Sequence, residues 1–196
     1  LVVIACNTLT VLGVDTLKGS HAFEIVGMSK GAQLVLAASS RKKIGVFATE
    51  FTINSGAHKA AILAADDGAD VYPQACPKFV PLIEGEQFDG AEVRAAVAEY
   101  AAPLKAAGID TLILSCTHYP FIQKEIESEF GSEVTVIDPA DATAQDTKTV
   151  LAAEGLLRSE GAGTLEVCFT ADVERGARIA GRVLPQGKCL FKEIKL

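Results

Sequence analysis

Residues 111–120 have the sequence Thr-Leu-Ile-Leu-Ser-Cys-Thr-His-Tyr-Pro, in which an apolar run leads into polar residues and a proline. Its first four side chains predict a fully buried β-strand. Pro120 is typical of the first turn of a helix, where its missing N–H group has no helical partner. Cys116 therefore lies between the carboxyl end of a strand and a helix, which is where ligands bind in open α/β sheets. Residues 1–8, Leu-Val-Val-Ile-Ala-Cys-Asn-Thr, follow the same plan and give Cys6 the equivalent place.

The rest of the chain alternates strand and helix patterns, which predicts an α/β fold with mostly parallel sheets. Apolar runs predict strands at residues 1–5, 23–27, 43–48, 69–76, 111–114, 134–138, 165–170 and 189–196. Helical spacing predicts helices at residues 8–19, 32–38, 54–63, 92–107, 120–130, 142–157 and 173–184. We expect Thr49 and Thr52 in a loop, and Glu84 in an irregular apolar loop at residues 77–85.

The composition excludes several classes of protein. The chain has 196 residues, of which 49% are hydrophobic, so it can bury a core. Its formal net charge of −7, without a basic run, argues against nucleic acid or anionic membranes as partners. We find no apolar run long enough for a membrane span and no signal peptide. The five cysteines form no Cys-x-x-Cys pair, so we expect a reducing cytoplasm rather than a disulfide scaffold.

The two cysteines that follow strands have two interpretations each. A free cysteine is most often a small buried hydrophobic residue. A helix amino terminus, however, supplies partial positive charge and free N–H groups, which favour a reactive thiolate. Since Cys6 and Cys116 have equivalent positions, a reactive role for the pair is better supported than for either residue alone.

Several polar residues near these cysteines are further candidates. His118 can be a structural histidine or a proton-transfer partner of Cys116, and Glu84 can be a solvated or a catalytic carboxylate. Three more residues can cap helices or donate hydrogen bonds to a carboxylate: Asn7, Thr8 and Thr117. We interpret the remaining histidines and cysteines as structural: His21, His58, Cys76, Cys168 and Cys189.

Two such cysteines suit a reaction that inverts a stereocentre. One thiolate removes a proton from a tetrahedral carbon, and a thiol on the opposite side returns a proton to the other face. Swapping the two roles runs the reaction in reverse, and no cofactor is required in principle. A metal ion is weakly indicated, because only Cys116 and His118 are close in sequence as ligands.

The two cysteine segments also carry a family resemblance. Residues 5–8, Ala-Cys-Asn-Thr, and residues 116–120, Cys-Thr-His-Tyr-Pro, together resemble the glutamate racemases of the aspartate/glutamate racemase superfamily. The similarity extends to residues 75–77, 79–84 and 108–112 and covers essentially the whole chain. It implies cofactor-independent interconversion of L- and D-glutamate in the cytoplasm, which supplies D-glutamate for bacterial peptidoglycan.

The resemblance also implies an architecture and a set of residue roles. It gives two pseudo-symmetric α/β domains that face each other across an active-site cleft. These are residues 1–28 plus 139–196, and residues 29–138. Position by position, Cys6 and Cys116 are the acid/base residues, and Glu84 and His118 assist proton transfer. The implied substrate-binding residues are Asn7, Thr8, Thr117, Thr49 and Thr52.

The chain departs from the family pattern at several places. The family normally has a strand followed by Asp-Ser-Gly-x-Gly-Gly, and a Pro-Tyr-Gly segment, before the first cysteine. Neither is found here, so we expect an N-terminal segment to be missing. Ser115 stands where the family usually has glycine, and residues 28–31 replace a Glu-Pro-Gly segment. These departures leave open whether the chain itself is active.

Three alternatives therefore remain open. They are a racemase of another amino acid such as aspartate, an inactive fragment that binds acidic amino acids, and a decarboxylase that protonates with a single cysteine. The presence of both cysteines counts against the decarboxylase. A small-molecule substrate, glutamate, is the expected partner. A homodimer is compatible with the sequence.

Overall fold

A computed structural model describes residues 1–161, 163–184 and 189–195. The chain divides into two compact units, Leu1–Leu156 and Leu157–Leu196. Parallel strands alternate with helices in both units, so the predicted α/β class with mostly parallel sheets is confirmed.

The first unit begins with a short pair of parallel strands. These are β1 (Val2–Ile4) and β2 (Ile25–Gly27), which place Val3 opposite Val26. Helix α1 (Asn7–Leu17) connects them and buries Val14. The hydroxyl of Thr10 on α1 accepts a hydrogen bond of 2.9 Å from the backbone N–H of Met28, just after β2.

A four-stranded parallel sheet forms the centre of this unit. Its strands are β3 (Lys43–Ala48), β4 (Asp70–Ala75), β5 (Thr111–Ser115) and β6 (Thr135–Ile137), in the order β4-β3-β5-β6. After β3 the chain continues to β4 at one edge of the sheet, and after β5 it continues to β6 at the opposite edge. The order therefore switches direction between β3 and β5, and their carboxyl ends border the crevice where such sheets bind ligands.

Helices cover both faces of the four-stranded sheet. They are α2 (Ala32–Ala38), α3 (Glu50–Asn54), α4 (Ala57–Ala65), α5 (Phe79–Glu84), α6 (Ala91–Ala107) and α7 (Gln123–Phe130). Every residue of β5 is buried, and alternate side chains point to opposite faces. Leu112 and Leu114 pack with the core of α5, α6 and α7, whereas Ile113 packs with that of α2 and α4. Helix α8 (Ala140–Ala153) follows β6.

The second unit contains a smaller parallel pair. Strands β7 (Leu165–Phe169) and β8 (Cys189–Glu193) place Val167 opposite Phe191, and α9 (Val173–Ala180) lies between them in sequence. Asp172 caps α9, because its carboxylate accepts a hydrogen bond from the backbone N–H of Arg175. The predicted last strand extended to residue 196, which lies outside the described residues.

The prediction of an irregular loop at residues 77–85 was wrong. Helix α5 occupies most of it, because Phe79 and Ile83 lie four residues apart and are both fully buried in the core. Pro81 does not prevent the helix. It lies in the first turn, where backbone N–H groups have no helical acceptor in any case.

Two boundaries near the crevice also differ from the prediction. Thr52 lies in helix α3 rather than in a loop, and Thr49 caps that helix by accepting a 3.4 Å hydrogen bond from the backbone N–H of Thr52. The helix predicted to begin at Pro120 starts instead as a 3₁₀ turn, Tyr119–Ile122, and becomes α-helical only at Gln123. Such turns are common at helix ends.

Candidate active site

The candidate site lies where the first helix meets the crevice of the central sheet. Thr49 directly follows β3 and Cys116 directly follows β5, so both stand at the switch in strand order. The hydroxyl of Thr8, in the first turn of α1, lies 3.0 Å from that of Thr49. This contact brings the segment that contains Cys6 to the same crevice.

Three threonine hydroxyls form one cluster, which we call the hydroxyl cluster. Thr8 Oγ1 lies 3.2 Å from Thr52 Oγ1, and Thr49 donates to Thr52 across 3.1 Å. Thr52 is buried, and its neighbours Thr8 and Thr49 are half-buried. The cluster therefore presents polar groups from two helix amino termini that are 41 residues apart in sequence.

Cys116, His118 and Glu84 form a second group. His118 Nδ1 lies 4.0 Å from Cys116 Sγ, and His118 Nε2 lies 2.7 Å from Glu84 Oε1. Glu84 is the last residue of α5, so that helix delivers the carboxylate to the histidine. The carboxylate orients the imidazole, which leaves the other ring nitrogen facing the thiol.

The electrostatic environment of Cys116 connects it to Cys6. Only 8% of Cys116 is exposed, and this burial is the main reason why the pKa of its thiol is raised. A charge on Cys6 raises that pKa further, so Cys6 lies within electrostatic range of Cys116. Hydrogen bonds from the backbone N–H groups of His118 and Tyr119 act in the opposite direction and favour the thiolate.

Asn7 offers an unpaired donor at the start of α1. It is 3% exposed, and its side-chain Nδ2 has no hydrogen-bond partner among the residues that the structure describes. No side-chain hydrogen bond caps this helix end, where Cys6 is the capping residue. Buried polar groups are normally paired, so these donors suit an anionic ligand such as a carboxylate.

The remaining sequence candidates have simpler surroundings. Thr117 is half-buried between Cys116 and His118. Cys76 is fully buried, its thiol donates to the carbonyl of Gln74 across 3.5 Å, and burial raises the pKa of its thiol. Across residues 1–161, 163–184 and 189–195, no three His, Cys, Asp or Glu side chains come together as metal ligands would.

Sequence reasoning missed the part played by Tyr119. Its ring is fully buried and packs edge-on against Phe79, and its hydroxyl donates to the carbonyl of Cys76 across 3.3 Å. The backbone N–H of the same residue favours the Cys116 thiolate. An aromatic residue between a histidine and a proline at a helix start was the available signal, but its acceptor lies 43 residues away.

The model of one known protein family matches most of this chain. The family model for Asp/Glu/Hydantoin racemase matches residues 1–147, which carry every candidate residue described above. The chain belongs to this racemase family. As a member, it is an isomerase, and the family resemblance expected from its two cysteine segments is confirmed.

Relatives within this racemase family are similar along most of the chain. A glutamate racemase of Lysinibacillus sphaericus (strain C3-41) is 37% identical, over 100% of this chain and 75% of its own length. One of Chlorobaculum parvum is 38% identical, over 91% of this chain and 66% of its own. This member of the family thus spans about three quarters of the length of the first relative.

Solved structures of racemases share the fold. Glutamate racemase isoform RacE1 from Bacillus anthracis superposes with a TM-score of 0.88 at 31% identity, covering 99% of this chain and 72% of that one. Glutamate racemase from Francisella tularensis, solved in complex with D-glutamate, gives a TM-score of 0.83 at 26% identity, with coverage of 99% and 72%. Each described helix of this racemase is too short or too polar to cross a lipid bilayer.

Proposed function

We propose that this chain is a glutamate racemase whose two acid/base residues are Cys6 and Cys116. The observation that carries the proposal is that the contact between Thr8 and Thr49 brings the segment of Cys6 to the crevice where Cys116 lies. The relatives named glutamate racemase and the structure of one with D-glutamate support glutamate as the substrate.

The reaction needs one proton on each side of the substrate carbon. The thiolate of one cysteine takes the α-proton, and the electron pair left on that carbon takes the proton of the other thiol from the opposite face. One thiol and one thiolate remain, with their positions exchanged. The reverse reaction then starts from the other cysteine, so each residue is base in one direction and acid in the other.

The surrounding groups have separate tasks in this proposal. The imidazole of His118, held by Glu84, assists proton transfer at Cys116. Asn7 Nδ2 and the free N–H groups at the start of α1 bind a substrate carboxylate and stabilise the negative charge that develops when the proton leaves. The hydroxyl cluster and Thr117 supply further hydrogen bonds to the substrate.

Hydrogen exchange at the α-carbon tests the reaction. In deuterated water, the wild-type chain should exchange the α-hydrogen of glutamate, and the optical activity of the glutamate solution should fall. Cys6→Ala and Cys116→Ala should each abolish racemisation, and Cys168→Ala, which removes an exposed thiol of β7, should not. Full activity in either of the first two variants would remove that cysteine from the mechanism.

The substrate and the biological role have their own tests. A panel of amino acids should show the highest kcat/KM with glutamate, and a preference for aspartate would redirect the proposal. We also propose a cytoplasmic role in supplying D-glutamate for peptidoglycan. Expression of the chain should restore the growth of a bacterium that requires D-glutamate, and the Cys116→Ala variant should not.

A further inference from the structure

His58 is a buried histidine that the proposed mechanism does not use. It lies in the first turn of α4 with 3% of its surface exposed. Neither Nδ1 nor Nε2 has a hydrogen-bond partner among the residues that the structure describes. Burial, and secondarily the charge of Lys30, lower its pKa to about 4, so the ring is neutral near pH 7.

A neutral imidazole has one donor and one acceptor, and both are here removed from bulk water. Buried polar groups in folded proteins are almost always paired, either with the protein or with an ordered water molecule. Two unpaired ring nitrogens on one buried side chain therefore point to a small polar ligand beside the ring.

A small cavity lies against this ring. It has a volume of about 50 Å³, and Thr52 and His58 both line it, together with Val46, Gly56 and Pro73. About 10–15 Å³ of such space is enough to hold one water molecule, so the cavity has room for water and is too small for a metabolite. Its walls come from strands β3 and β4, from helices α3 and α4, which also contribute Ile53 and Lys59, and from the turn that joins these helices.

Thr52 connects this cavity to the candidate active site. Its hydroxyl contacts Thr8 at 3.2 Å and Thr49 at 3.1 Å within the hydroxyl cluster. Helix α3, which carries Thr52, has only five residues, and so short a helix depends on tertiary contacts for its position. A contact across this cavity that fixes the position of α3 therefore also fixes the position of the hydroxyl cluster.

We propose that His58 is a positioning residue for the active site, because an ordered water molecule in this cavity bridges a ring nitrogen of His58 and the hydroxyl of Thr52. The bridge satisfies the imidazole and fixes the orientation of the Thr52 hydroxyl in the hydroxyl cluster. Its effect on substrate binding rests on the proposed function, whereas the bridge itself does not.

The bridge is tested first without any assay of activity. A high-resolution crystal structure of the wild-type chain should show a water molecule in the cavity, within hydrogen-bond distance of both residues. Imidazole nitrogen NMR should show that Thr52→Val changes the signal of His58. A dry cavity, or a His58 signal that Thr52→Val leaves unchanged, overturns the proposal.

Kinetics then test the positioning role. His58→Leu removes both nitrogens and should raise KM for glutamate about fivefold, the effect of one hydrogen bond, with kcat changed less. His58→Gln keeps a donor and an acceptor and should restore most of the affinity. Ile62→Val, a buried change on the same helix, should lower stability slightly and leave KM unchanged.

The outcomes separate the two proposals. If the wild-type chain does not racemise glutamate, the proposed function fails, and the crystal structure and the NMR comparison still decide whether the bridge exists. If the wild-type chain is active and His58→Leu has the wild-type KM, the positioning role is wrong. An equal rise of KM in His58→Gln and His58→Leu also contradicts it, because a retained donor and acceptor should restore binding.

Discussion

Cys116 experiences two opposing influences at the scale of single residues. Burial and the charge of Cys6 raise the pKa of its thiol, whereas backbone N–H groups of His118 and Tyr119 favour the thiolate. The raising influences prevail, but a residue that acts as an acid in one direction and a base in the other needs support for both of its protonation forms. The environment of Cys116 therefore suits the reversible role that we propose.

The influence of Cys6 on Cys116 leads to a prediction about pH. Cys6→Ser removes the thiol whose charge raises the pKa of Cys116, so that pKa should fall and the Cys116 thiolate should form at lower pH. Burial remains in the variant and continues to oppose ionisation. Mass spectrometry of Cys116 alkylation by iodoacetamide at a series of pH values measures this shift. Cys168→Ser serves as the control, and a Cys6→Ser profile that matches it would contradict the prediction.

The contact between Glu84 and His118 gives a second residue-scale prediction. Glu84→Gln keeps the shape of the side chain and removes the charge that orients the imidazole across 2.7 Å. We expect kcat to fall roughly tenfold to a hundredfold, at or below the lower end of the range for a general acid/base group, because Glu84 acts through His118. Glu133→Gln, an exposed change of the same type, should keep wild-type kcat in the same racemisation assay.

Sequence predicted the central elements well and the elements of the crevice less well. The bounds of β3 and α2 agree with prediction residue for residue, because local apolar patterns and turn residues define them. Helix α5 was missed, since its stability depends on the burial of Phe79 and Ile83 against distant parts of the chain. Local propensity cannot report such tertiary support.

The candidate site shows the same limit. Cys116 and His118 are adjacent in sequence, so their proximity was expected, and Cys6 was paired with Cys116 by an equivalent position. The contact of Thr8 with Thr49 spans 41 residues and depends on how two strand–helix units pack. Motif reasoning could nominate such residues but could not show that their hydroxyls touch.

Gly31, at the start of α2, gives a prediction at the scale of elements. Its φ of +62° favours glycine, and an added Cβ would lie 2.3 Å from Ile113 Cδ1 in β5. Gly56 has a similar φ of +67° but open space around it, so it is the matched control. Gly56→Ala should lower the free energy of unfolding by about 1 kcal/mol, and Gly31→Ala by about 2–4 kcal/mol.

A double variant separates the clash from the backbone strain. Ile113→Val removes the atom that an alanine at position 31 would meet. Urea denaturation should therefore show that Gly31→Ala with Ile113→Val costs less than the sum of the two single changes. Strict additivity would mean that α2 moves away from β5 at little cost, contrary to the tight packing observed.

At the scale of the whole molecule, we retain the domain organisation implied by the family resemblance as a proposal. Residues 1–28 plus 139–196 would form one half, and residues 29–138 the other. The chain would pass between the halves at residues 28–29 and again at residues 138–139. Thr143 forms a hydrogen bond at each of these two places. It accepts a 2.9 Å hydrogen bond from the backbone N–H of Ser29 and donates across 3.1 Å to the carbonyl of Pro139.

This proposal predicts a specific change in backbone dynamics. Thr143→Val removes both hydrogen bonds while keeping the size of a side chain that is 5% exposed. Amide hydrogen exchange should become faster at residues 28–31 and near Pro139, and stay slow in β3 and β5, which are almost entirely buried. Thr147→Val, which removes a bond only within α8, is the control. Faster exchange throughout the sheet would indicate general destabilisation instead.

The contacts of Thr8 have a consequence for how a site can accept both enantiomers of one substrate. In its contacts with Thr49 and Thr52, either oxygen can be the donor, so rotation about one bond redirects the Thr8 proton without moving the main chain. L- and D-glutamate are mirror images of equal free energy, and a catalyst that interconverts them must accommodate both. In the proposed function, where Thr8 contacts the substrate, its rotatable hydroxyl can follow either enantiomer, which a rigid backbone donor cannot do.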